Sequence, residues 1–93
     1  MVSYRKFIRE NEIYLVIVKK ELRDPSIFEL NEIIESNKDA SKIYVITKNI
    51  SLNVANYLRN SNAIVIDNMP FYEEERVIKR FAKEYELKEI NSF

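Results

Sequence analysis

The sequence of 93 residues predicts a single α/β domain, residues 1–93, built on a mixed four-stranded sheet. Three observations predict it. Continuous β-branched and aromatic runs at 13–19, 43–47 and 63–67 read as strands buried on both faces. Stretches with apolar residues at helical spacing separate those runs. A further strand-like segment, 2–9, precedes the first run across a short polar turn. Strands joined by helices run parallel with right-handed crossovers, whereas strands joined by a short turn run antiparallel. The expected molecule is therefore an N-terminal hairpin followed by parallel strands. In sequence order, these strands put the first two helices on one face and a long C-terminal helix on the other.

Each element has its own local reason. In the Glu10-Asn11-Glu12 turn, Asn11 can take the left-handed conformation that glycine supplies elsewhere. The chain has no glycine, and Asn37, Asn49, Asn60, Asn62 and Asn68 also fall where one is expected. The run IYLVIVK, 13–19, is the central strand. Asp24-Pro25 starts a helix, with a capping carboxylate ahead of a proline at the first helical position. Ile27, Leu30, Ile33 and Ile34 form its inner stripe, Glu29, Glu32 and Glu35 its wet side, and Asn37 its end. Ser51 caps a second helix that carries Leu52, Ala55 and Leu58 inward and closes at Asn60-Ser61-Asn62. After Asn68-Met69-Pro70 the longest helix spans 72–88, with Glu73, Glu74 and Glu75 at the positive end of its dipole. Val77, Ile78, Phe81, Ala82 and Tyr85 form its buried face. One helix does not fully cover a sheet face, so a homodimer through the remaining apolar surface is expected.

Composition excludes much chemistry. Without glycine there is no P-loop, dinucleotide-binding turn or kinase-type loop. Without histidine or cysteine there is no imidazole base, thiolate nucleophile, or usual zinc, haem or iron–sulfur ligation. Fifteen basic and fifteen acidic residues cancel, nine against eight through Lys48 and six against seven beyond it. A positive field strong enough for nucleic acid must therefore be assembled by folding. The longest apolar run, 13–18, is too short to span a bilayer, and the start resembles no signal peptide. A cytoplasmic chain with no membrane partner is expected. Richness in Ile, Lys, Glu, Asn and Tyr points to an AT-rich genome. Glu and Lys enrichment without Gln or Cys matches thermophile usage, while ten Asn residues point the other way.

The apolar run ending in Lys19, with the strand–helix–strand segment IYVITKNISLNVANYLRNSNAIVID at 43–67, resembles the restriction-endonuclease-like PD-(D/E)xK superfamily, and especially its Mrr-type and archaeal members. The resemblance implies a nuclease in which one carboxylate from each hairpin strand holds a divalent metal, with a lysine assisting the nucleophile. Lys19 matches that lysine. Ile17 stands where the second carboxylate belongs, the first falls near Ser3 or Tyr4, and no acid precedes Glu10. The family's N-terminal helix and first strand also lack counterparts, as in a trimmed domain. The expectation is a degenerate site with no catalytic residue, no metal and no cofactor, in which Lys19 is vestigial. Magnesium or manganese enters only under an alternative, in which a partner or a displaced helix residue, Glu29 or Glu32, supplies the missing acid. Glu12, Glu21 and Asp24 flank the hairpin strand as turn and cap residues.

Two basic groups are candidates for nucleic-acid contact. Lys19, Lys20 and Lys48 end parallel strands, where ligands gather in open α/β sheets, and with Arg23 they could contact phosphate. The same end holds Asp67. Arg5 and Arg9, with Lys6 among Tyr4 and Phe7, combine cations with stacking surfaces as single-strand binders do. Strand alternation sends Arg5, Phe7 and Arg9 to one face and Tyr4, Lys6 and Ile8 to the other, which suits protection of an exposed sheet edge better than single-strand binding. Arg76, Lys79, Arg80 and Lys83 read as a solvated helix face. The functional expectation is a non-catalytic nucleic-acid-associated or protein-interaction module. A small structural or inhibitor protein of viral or plasmid type, unrelated to nucleases, is a third class.

Overall fold

The computed structural model describes residues 1–90. Strands β1 (Ser3–Arg9) and β2 (Glu12–Val18) form the expected hairpin, in register from Ser3 opposite Val18 to Arg9 opposite Glu12. Its two-residue loop places Glu10 at φ 51° and Asn11 at φ 68°. Two successive left-handed residues make the turn that matches the right-handed twist of paired strands. β3 (Glu21–Leu22), α1 (Ser26–Glu35), β4 (Lys42–Ile46), β5 (Asn49–Ile50), α2 (Leu52–Asn60), β6 (Ala63–Ile66), α3 (Glu74–Glu84) and β7 (Lys88–Glu89) follow. The main sheet has the order β6-β4-β2-β1-β7, with β2–β4 and β4–β6 parallel and the β1 pairings antiparallel. No described helix is long and apolar enough to cross a membrane.

The sheet has five strands rather than four. The last helix, expected to reach 88, stops at Glu84. Its apolar stripe runs out after Tyr85, because one turn further the inward positions would be Lys88 and Glu89. Glu86 takes φ 56°, and the Leu87 N–H donates to the Ala82 carbonyl (2.8 Å). The chain then reverses, packing Leu87 beneath α3 and pairing β7 with Phe7 and Ile8. β1 is therefore not the outermost strand. A second parallel pair, β3–β5, sits beyond the ends of β2 and β4. Of the asparagines expected to replace glycine, Asn11 and Asn62 have positive φ; among the described residues the other two with positive φ are Glu10 and Glu86.

Both sheet faces are covered. Leu15, Ile17 and Val45 pack with Leu30 and Ile33 of α1 and with Val54 and Leu58 of α2. On the other side Phe7, Tyr14, Val16, Val18 and Ile46 lie beneath Val77, Ile78, Phe81 and Ala82 of α3. Tyr44 anchors an aromatic cluster there, with ring centroids 6.0 Å from Tyr14, 5.2 Å from Phe81 and 5.6 Å from Tyr85. α3 thus covers most of its face, but Ile64, in register with Tyr44 on that same face, stays 49% exposed on β6, so part of the expected uncovered apolar surface remains. Phe28 (83%) on α1 and Leu52 (74%) on α2 are exposed as well. Leu52, expected inside, opens α2 on its outer side, and Val54 fills the core position.

Candidate functional site

The carboxyl ends of β2 and β4 are held together by one acceptor. The Lys20 carbonyl receives the Lys48 N–H (2.9 Å), the Asn49 N–H (3.0 Å) and the hydroxyl of buried Thr47 (3.2 Å). One residue earlier the Lys19 N–H donates to the Ile46 carbonyl (3.1 Å). Because these bonds use backbone atoms, the side chains of Lys20 and Lys48 are left in solvent on the same edge. Past β3, exposed Arg23 joins them, its Nη2 3.8 Å from Glu21. The Ser51 N–H donates to the Leu22 carbonyl (3.0 Å), closing a shallow pocket lined by Leu22, Arg23, Asn49, Ile50 and Ser51. Lys19 is half-buried and donates from Nζ to the Met1 carbonyl (3.2 Å).

Asp24 also belongs to this edge, in a role other than the expected helix cap. Pro25 occupies the cap position of α1, and no side chain caps that helix. The Asp24 carboxylate accepts the Ser51 hydroxyl (2.6 Å) and the Asn53 side-chain amide (2.9 Å), tying the start of α1 to the start of α2. These two bonds, Ser51's first, hold its carboxyl below the ordinary value. Ser51 does cap α2, accepting the Val54 N–H (3.3 Å). With Glu21, Asp24 and, just past the end of β6, Asp67 beside four cations, the edge keeps only a small net positive charge.

Ile17 lies directly opposite Tyr4 in the hairpin register. The two carboxylate positions were expected at Ile17 and near Ser3 or Tyr4, and Ser3 lies opposite Val18. Ile17 is completely buried beneath α1 and α2, and Tyr4 is 39% exposed. Glu29 was expected on the wet side of α1. Instead it turns to the start of the chain, where its Oε2 accepts the Val2 N–H (2.8 Å). Glu32 is exposed. Among the described residues no three acidic side chains converge.

Arg5 and Arg9 are not brought to the basic edge. Arg5 ion-pairs with Glu75 of α3 and lies 3.7 Å from Glu89 of β7. Arg9 donates to the Tyr85 carbonyl (2.7 Å) and the Tyr14 hydroxyl (3.1 Å), with its guanidinium 5.5 Å from the Tyr14 ring centre. Lys6 points to the opposite face, as alternation predicted, and holds Asp39 (2.8 Å), whose carboxyl is thereby lowered below its ordinary value. The six candidate cations thus divide into four at one edge and two that brace α3 and β7. The links Glu29–Val2 and Asp24–Ser51 were not legible beforehand, because each spans more than twenty residues and carries no periodic signal. No family model, curated protein or solved structure matches the chain.

Proposed function

We propose that this chain is a non-catalytic, restriction-endonuclease-like domain that contacts nucleic-acid phosphates through Lys20, Arg23 and Lys48, with Lys19 behind them. The carrying observation is the Lys20 carbonyl, which fixes the ends of two parallel strands and leaves their lysines unpaired by any described carboxylate. An antiparallel hairpin followed by parallel β4 and β6 supports the likeness. Burial of Ile17 supports loss of cleavage, because its position now serves packing, which stability requires, rather than metal binding, which it does not. The contact is weak and sequence-independent, as expected of about three phosphate contacts and no described base-reading constellation.

The test is fluorescence anisotropy with labelled single- and double-stranded DNA and RNA across a salt series, run beside a cleavage assay containing magnesium or manganese. Binding that weakens linearly in log salt and is lost in Lys20→Ala/Lys48→Ala supports the reading. Cleavage abolished by Lys19→Ala would overturn it in favour of a nuclease using a displaced or partner-supplied acid. Exposed Phe28 and Leu52 favour a second reading, a protein-interaction module using the outer side of α1 and α2. Salt-independent absence of nucleic-acid binding would move the balance to it.

A further inference from the structure

β6 closes the main sheet on one side, and no described strand pairs its outer edge. We propose that this edge is a homodimer interface, in which β6 pairs antiparallel with β6 of a second copy to make one continuous ten-stranded sheet. The orientation of the free backbone groups is set by β4. The Ile66 carbonyl accepts the Thr47 N–H (3.0 Å), so Ile66 points inward. Alternation then turns the N–H and C=O of Ala63 and Val65 outward, with Asp67 next in the series. Natural edges of this kind are commonly blunted by lysine, proline or a bulge. β6 is four apolar residues, AIVI, with none of these.

Register follows from the same geometry. Only outward-facing residues can exchange hydrogen bonds across the new seam, so each must face another odd-numbered residue. Centring the two-fold axis on Val65 pairs Val65 with its own copy and Ala63 with the copy's Asp67. This forms more bonds than centring on Ile64. Charge selects the same arrangement. Arg59, from the last turn of α2, and Asp67 line opposite ends of one shallow groove beside β6, floored by Ala63 and Val65. Both are exposed, and neither is in an ion pair among the described residues. Antiparallel pairing brings Arg59 of one copy to the Asp67 end of the other, twice, on the face that carries α2. The basic edges of the two copies then point in opposite directions, so dimerisation is separable from phosphate contact.

The test combines sedimentation equilibrium with residue-resolved hydrogen exchange on the whole chain. The expected species has twice the 11.2 kDa chain mass, and the Ala63 and Val65 amides gain protection as concentration rises. Arg59→Asp and Asp67→Arg each weaken the dimer about tenfold, while Arg59→Asp/Asp67→Arg restores it to within about threefold. Circular dichroism verifies that the variants keep the fold. A chain that stays monomeric at millimolar concentration overturns the proposal. So does a dimer in which these two amides exchange freely, or one that is indifferent to charge reversal.

Discussion

The hairpin and the carboxyl edge of the sheet both carry aligned cations, and the fold uses them in opposite ways. In β1, Arg5 meets Glu75 and Glu89, and Arg9 meets the Tyr85 carbonyl and Tyr14. At the edge the backbones of Lys20 and Lys48 bond each other, and their ammonium groups stay in water. A cation is available to a partner only where the chain's own acceptors have not claimed it. Sequence clustering alone does not report that.

The strongest way to break this contrast is to put a carboxylate into the hairpin. Ile17→Asp places a carboxylate where the resemblance to nucleases would expect one, but in a fully buried position against α1 and α2. The variant should lose more than about 4 kcal/mol of stability and gain no cleavage, as read by urea unfolding and a nuclease assay. A folded, metal-binding Ile17→Asp protein would mean that the site is open rather than filled.

Next in size is Arg9→Ala. It removes a charged donor from the Tyr85 carbonyl and from the hydroxyl of buried Tyr14. A loss of about 2 kcal/mol is expected by thermal denaturation, with nucleic-acid affinity unchanged. If binding falls instead, β1 belongs to the interface.

Lys20→Ala/Lys48→Ala should show the reverse pattern. Stability stays within about 0.5 kcal/mol, while affinity at low salt falls and the slope of log K against log salt becomes shallower by about 2.

The smallest effect concerns acid. Asp24 is held below its ordinary carboxyl value by Ser51 and Asn53. A depressed folded value means that its contribution is present above the unfolded value and is lost as pH falls through the folded one. Asp24→Asn should therefore flatten the decline of stability in the acid range, measured by thermal melts across pH. It should also tighten phosphate binding slightly at neutral pH by removing an acid from the basic edge.

Legibility in the sequence followed the length over which a signal repeats. The run 13–19 has enough apolar residues to be read as a doubly buried strand, and β2 is buried on both faces from Tyr14 to Val18. The α3 stripe from Val77 to Tyr85 was equally readable, but its end was not, since Glu86 adopts a left-handed conformation with no residue type to announce it. β3, β5 and β7 are two residues each, too short for any period. At the site, the gathering of Lys19, Lys20, Arg23 and Lys48 was visible from strand ends. The capture of Arg5 and Arg9 by Glu75, Glu89 and Tyr85 was not, because the partners lie about seventy or more residues away in the chain.

Hydrophobic period and turn chemistry are local, and by themselves they determined the hairpin, the parallel order β2-β4-β6 and the faces on which the three helices pack. Tertiary structure alone decided how the polar atoms were paired. Glu29 went to the Val2 amide, Asp24 to the start of α2, and β7 to the flank of β1. A buried stripe repeats along the chain and averages out single exceptions, whereas a hydrogen bond is one event between two groups, settled only when the fold brings them within about 3 Å of each other.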